Sequence, residues 1–190
     1  MWKLLILSLL FVVVAVGQLH VARKDGYTAY ARETGLWLHK VIQEAMTWDQ
    51  AQKYCQSEEA SLTGFESYQE AEFVYNMTVS INSEKPFYIG GRKKTSCGPV
   101  STDGSNPCSI WNIFTWVNNV ASVPIDPHTW TTNIGGTPNP GPGTNGQDCL
   151  TLREPNPVWM DKRRGGYLDD NVCYQKFFFI CGKPYSVVGR

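Results

Sequence analysis

Six cysteines, Cys55, Cys97, Cys108, Cys149, Cys173 and Cys181, constrain this chain more than any other feature. All of them follow an apolar N-terminal run, residues 4–16, broken only by Ser8 and followed by Gly17, Gln18 and the charged Arg23-Lys24-Asp25. That is the form of a secretory signal peptide, assigned to residues 1–17. The run falls short of the roughly 20 apolar residues needed to cross a bilayer, and small residues, Ala15 and Gly17, stand where a peptidase would cut. An uncleaved N-terminal anchor is the alternative reading of the same residues, and no later segment reads as a membrane span. The expected location is therefore secreted and extracellular, where an even cysteine count means disulfides, although sequence alone leaves fifteen pairings open. A zinc site fits poorly, because no Cys-x-x-Cys occurs and His20, His39 and His128 are far apart. Asn76-Met77-Thr78 is a glycosylation acceptor, in keeping with an exported surface.

Lys and Arg number 17, and so do Asp and Glu, a balance that argues against nucleic-acid or polybasic membrane partners. The clusters Arg92-Lys93-Lys94 and Lys162-Arg163-Arg164 are short; solvated surface is the reading preferred over contact with an anionic ligand. After the leader, about 170 residues remain, enough for one domain with its own core.

Residues 18–34 are polar without a sustained period and read as an N-terminal arm; the domain is placed at 35–183, with 184–190 as a tail. Leu36, Leu38 and Lys40 alternate with Trp37, His39 and Val41, a half-buried strand. Thr47-Trp48-Asp49-Gln50 has the form of a capping box and predicts a helix over about 48–58. Ser67-Tyr68-Gln69-Glu70 repeats the form, with Ala71, Val74 and Tyr75 as the apolar face of a second helix. Four short runs read as strands: Phe87-Tyr88-Ile89-Gly90-Gly91, Phe114-Thr115-Trp116-Val117, Cys149-Leu150-Thr151-Leu152 and Phe177-Phe178-Phe179-Ile180-Cys181. Residues 135–146 are all Gly, Pro, Asn or Thr, so this stretch must run over the surface as a long loop, a natural place for binding, with a plain connector as the alternative.

Taken in order, these pieces resemble the C-type lectin domain. Residues 46–55 look like its first helix ending in its first cysteine; Phe87-Tyr88-Ile89-Gly90-Gly91 is similar to its Trp-Ile-Gly strand with Tyr88 in the Trp position. Gln147-Asp148-Cys149, Asp169-Asp170-Asn171-Val172-Cys173 and Phe179-Ile180-Cys181 complete the pattern over about 36–183. The resemblance implies an α+β C-type lectin-like fold, two helices flanking antiparallel sheets with a long surface loop. It also implies the pairings Cys55–Cys181 and Cys149–Cys173, with Cys97–Cys108 as an additional bridge.

In sugar-binding members, Ca²⁺ sits between the long loop and an adjacent strand, held by several anionic oxygen ligands. Where Glu-Pro-Asn or Gln-Pro-Asp is expected this chain has Thr137-Pro138-Asn139, and where Glu precedes the cysteine it has Gln147. Where Trp-Asn-Asp is usual it has Leu168-Asp169-Asp170. The resemblance thus implies Thr137, Asn139, Gln147, Asp169 and Asp170 as the ligand-binding set, with Asn139, Asp169 and Asp170 as metal ligands. Two carboxylates stand where three are usual, so any Ca²⁺ site is expected in the weak extracellular range, about 10⁻⁴–10⁻³ M. Glu154-Pro155-Asn156 spells the motif on the wrong side of Cys149 and reads as a turn. Trp111, Trp130 and Trp159 are left open as sugar-stacking residues, and Trp116 is expected in the core.

No nucleophile elbow, His-Glu-x-x-His motif or phosphate-binding glycine loop occurs, and the adjacent Asp169 and Asp170 would point to opposite faces of a strand, wrong for a glycosidase pair. The expected function is carbohydrate binding by a non-enzyme, with glycans or glycoproteins as partners. The alternative is a metal-independent module that binds a protein ligand.

Overall fold

The computed structural model describes residues 25–81, 85–98, 101, 105–109, 112–123, 125, 146–153 and 167–185. The signal-peptide reading, Thr137 and Asn139, Trp111, Trp130 and Trp159, Glu154-Pro155-Asn156 and the Lys162-Arg163-Arg164 cluster lie outside the described residues.

Thr47 opens α1 (Trp48–Ser57) with both halves of the capping box: its hydroxyl accepts from Gln50 N, and the Gln50 side chain accepts from Thr47 N. Ser67 opens α2 (Tyr68–Val79) with only one half, accepting from Glu70 N. The strands are β1 (Thr28–Arg32), β2 (Gly35–Met46), β3 (Ser61–Leu62), β4 (Phe87–Lys93), β5 (Phe114–Trp116), β6 (Cys149–Leu152), β7 (Leu168–Asn171) and β8 (Phe177–Pro184). They form one sheet in the order β1-β2-β8-β4-β6-β7, with β3 added on β8 and β5 on β4.

Strand alternation builds two cores from this one sheet. Phe177, Phe179 and Cys181 of β8 and Tyr88 of β4 face α1, joining Trp48, Ala51 and Cys55. Ile180 of β8 with Phe87 and Ile89 of β4 face the other way, joining Ala71, Phe73 and Val74 of α2. The helices therefore flank the sheet, and Trp116 packs edge-on against Phe65 at 5.8 Å as a partly buried core residue. At Gly90 the chains come so close that a side chain would run into the Leu62 carbonyl, which explains the glycine. The bridges are Cys55–Cys181, Cys97–Cys108 and Cys149–Cys173.

Two boundaries and one strand direction differ from the sequence expectation. β1 lies inside the segment read as an arm and pairs along its whole length with β2, Thr28 opposite His39 through Arg32 opposite Gly35. β8 runs on to Pro184, opposite Trp37. The sheet is mixed, because β4 and β8 pair parallel, Phe87 opposite Phe178. Alternation reports the face a residue takes but not the direction of its neighbour, so the parallel pair has no sequence signature of its own.

β1 is held by a buried charge. Arg32 reaches inward to donate to Glu70 Oε1 at 2.9 Å from Nε, and to the carbonyls of Val120 and Gly64 at 2.8 Å each. The same Glu70 oxygen accepts from His39 Nε2 at 2.9 Å, while His39 Nδ1 accepts from the Thr63 hydroxyl at 2.9 Å. Glu70 Oε2 accepts from Glu66 N at 2.8 Å, so the carboxylate that completes the cap form in sequence is turned to the core.

Candidate functional site

β6 and β7 form a hairpin, Leu150 opposite Asp170 and Thr151 opposite Asp169, stapled where it ends by Cys149–Cys173. Alternation sends Asp169 and Asp170 to opposite faces: Asp170 goes with Leu150 toward the α2 core, Asp169 with Thr151 toward the α1 side. Both are buried, at 6% and 1% exposure. Asp169 Oδ2 accepts from Arg153 Nη1 at 2.7 Å, and its backbone carbonyl accepts from the Thr151 hydroxyl at 3.1 Å. Burial pushes the Asp169 carboxyl above the ordinary range, and the Arg153 guanidinium offsets only part of that.

Of the residues expected to form the site, Asp169 and Asp170 are neighbours on β7 facing apart, and Gln147 is half-buried at the foot of β6. Thr137 and Asn139 lie outside the described residues, so their position relative to the hairpin is not part of this geometry. Beside Gln147, Asp148 faces Lys93 of β4, Nζ to Oδ1 at 3.4 Å.

This donor set bears on Ca²⁺. A hard divalent ion needs several anionic oxygens converging on one point. Here Asp169 already has a guanidinium as counter-ion, Asp148 has an ammonium, and Asp170 faces away from Asp169. Among the described residues no three Asp, Glu, His or Cys side chains gather as a metal site. The described residues alone do not fit a tight Ca²⁺ centre.

Sequence reasoning missed Arg153, because its partner Asp169 is reached only through the hairpin register and stands 16 positions further along the chain. It also passed over Tyr174, an exposed aromatic next to a bridged cysteine, in a stretch with no periodic signal.

The model of the Lectin C-type domain matches residues 44–183. Human E-selectin is 28% identical over 156 residues, which cover 79% of this chain and 20% of that protein. One chain of the snaclec coagulation factor IX/factor X-binding protein of Echis carinatus is 35% identical over 69 residues, 35% of this chain and 51% of that one. Among solved structures, the mouse scavenger receptor C-type lectin carbohydrate-recognition domain superposes with a TM-score of 0.56 at 17% identity, covering 88% of this chain and 100% of that one. The chain thus spans about a fifth of human E-selectin and about half of the snaclec chain. With the matched helices, sheet and bridges in place, the chain belongs to the C-type lectin domain family.

Proposed function

We propose that this chain is a secreted carbohydrate-binding C-type lectin domain with weak or absent Ca²⁺ dependence. It takes glycans or glycoproteins through the loop at 135–146, Gln147 and the β6–β7 hairpin, where Asp169 and Asp170, both buried, act from behind the surface. The observation that carries this reading is the Arg153–Asp169 pair: at a hairpin where the family resemblance puts a metal ligand, an internal cation already balances the carboxylate. Polar groups compensated in this way suit hydroxyls, which both donate and accept, better than a hard cation. The carbohydrate-recognition domain named among the fold neighbours agrees with it.

A glycan array read in millimolar Ca²⁺ and again in chelator should give signal in both, reduced several-fold by Asn139→Ala and by Asp170→Ala. Calorimetry should find Ca²⁺ binding no tighter than about 10⁻⁴ M. Micromolar affinity, or glycan signal abolished by chelation, would contradict the assignment.

One relative supports a second reading, a metal-independent protein-binding module: the snaclec is named for binding coagulation factors. No glycan signal from folded protein, with capture of a specific protein that survives chelation, would favour that reading.

Export also carries a prediction at Asn76, which is exposed on α2, while Thr78 is buried with its hydroxyl donating to Tyr75 O at 2.7 Å. Protein from a secreting eukaryotic cell should lose apparent mass on enzymatic removal of N-glycans, and Asn76→Gln should remove that shift. A shift that persists in the variant would place the glycan elsewhere.

A further inference from the structure

Where α1 begins, an open cleft of about 410 Å³ is lined by Thr47, Asp49, Arg92, Gly146, Asp148 and Tyr174. Its volume falls within the roughly 300–1,000 Å³ of small-ligand sites. We propose that this cleft is a second, metal-free subsite for one neutral sugar residue, with Tyr174 as the stacking platform and Asp49, Arg92 and Asp148 as partners for its hydroxyls. The proposal rests on the carbohydrate reading above, and the cleft adjoins that site at Gly146, the last residue of the loop, but its platform and hydroxyl partners are not among the residues assigned there.

The platform is an exposed ring on a fixed stretch of backbone. Tyr174 is 67% exposed, yet every neighbour of its backbone is tied down. Cys173 is bridged to Cys149, and its carbonyl accepts from Trp48 N at 3.0 Å. The buried Tyr88 hydroxyl spans the turn, 2.6 Å from the Val172 carbonyl and 3.1 Å from that of Gln175. A ring carried on a stapled turn has only its own side-chain torsions to lose on binding, which limits the entropic cost of a stacking contact.

The polar groups are paired, and their charges cancel. Arg92 Nη1 donates to Asp49 Oδ1 at 2.9 Å while its guanidinium lies 4.9 Å from the centre of the Trp48 ring. Lys93 balances Asp148, whose Oδ1 accepts no hydrogen bond. Two carboxylates against two cations leave no net field to recruit an ion. What remains are lone pairs and N–H groups held at set positions beside an apolar ring face, the complement of a pyranose with hydroxyls at its rim and C–H bonds on its face.

The test uses the full domain, isotope-labelled, in chelator, titrated with the methyl glycosides of mannose, galactose, glucose and N-acetylglucosamine and followed by two-dimensional NMR. At least one glycoside should shift the amides of Arg92, Asp148 and Tyr174. Tyr174→Ala should weaken that binding about tenfold, the equivalent of about 1.4 kcal/mol, and Tyr174→Phe should restore it, because the ring and not the hydroxyl is the contact. The substitution is at an exposed position, and the dispersed spectrum of each variant checks that it folds. No shift of these amides with any glycoside overturns the subsite, whatever the array shows for Asn139→Ala, and array binding lost in Asn139→Ala but unaltered in Tyr174→Ala leaves the loop reading standing while removing this one. A sulfated monosaccharide is titrated beside the methyl glycosides, and a response confined to it and lost in Arg92→Ala would mark an anion site and also overturn the subsite.

Discussion

Glu70→Ala should destabilise the domain by about 3 kcal/mol, because it removes the nearer counter-charge of the buried Arg32 guanidinium and leaves only the partly exposed Glu66, whose Oε1 lies 3.8 Å from Nη1. The Arg32 side chain is 3% exposed and that of Glu70 not exposed at all, and the carboxylate accepts from Arg32, His39 and the Glu66 amide. Removing it strands three donors at once, while the two carbonyls that also hold Arg32 supply no negative charge. For a domain of this size the melting temperature should drop by roughly 10 °C. The double variant Arg32→Met with Glu70→Leu should lose less than Glu70→Ala alone, since the cost arises from an unpaired buried ion and not from the absence of the pair. A loss below about 1 kcal/mol in Glu70→Ala would show that water or a shifted side chain compensates Arg32.

The same cluster sets an acid limit. Burial pushes His39 below its ordinary value of 6.5 and outweighs the pull of Glu70, so the folded protein keeps the ring neutral, donating from Nε2 and accepting at Nδ1. Burial pushes the Glu70 carboxyl up, but the hydrogen bonds from His39 and Arg32 and the charge of Arg32 prevail and hold it below its ordinary range. Both shifts act in one direction. As pH falls below about 6.5 the unfolded chain binds a proton that buried His39 refuses, and below about 4.3 it protonates a carboxylate that the fold keeps ionised. Stability is therefore lost in two stages on acidification, and His39→Gln should flatten the first while leaving the second.

Glu70 also marks the limit of what the sequence tells. Its place three residues after Ser67 predicts α2 correctly, since local hydrogen bonding to the helix start is a short-range matter. Its service to Arg32 and His39 depends on β1 and β2 lying over the helix, which no local pattern reports. For the same reason β1 was missed: Thr28, Tyr30 and Arg32 are polar enough to read as an arm, and the strand forms because β2 offers a paired edge and Glu70 a buried partner. The Thr47 box, the alternation in β2, the aromatic and β-branched runs of β4 and β8, and the bridges Cys55–Cys181 and Cys149–Cys173 were legible because each repeats a local or family pattern, and Cys97–Cys108 was then the pair left over. At the candidate site, the positions of Asp169 and Asp170 on β7 were legible, and so was their divergence. The counter-ion Arg153 was not, since it follows from register across the intervening residues.

Replacing Cys55 and Cys181 together by alanine should produce a loss on the order of 4–5 kcal/mol, with the domain largely unfolded at 37 °C. The bridge spans a sequence separation of 126, so cutting it returns a large loop's freedom to the unfolded chain, whereas Cys97–Cys108 spans 11 and should matter by roughly 3 kcal/mol or less. Position acts in the same sense. Both Cys55 and Cys181 are fully buried where α1 meets β8, and β8 is the central strand that pairs β2, β3 and β4. Losing the staple therefore frees the strand on which both cores depend, while the Cys97–Cys108 turn sits at the margin of one. Urea unfolding of the two double-alanine variants beside the parent should place their midpoints in that order. Equal losses from the two would mean that native-state strain or packing, and not the length of the closed loop, sets what each bridge contributes.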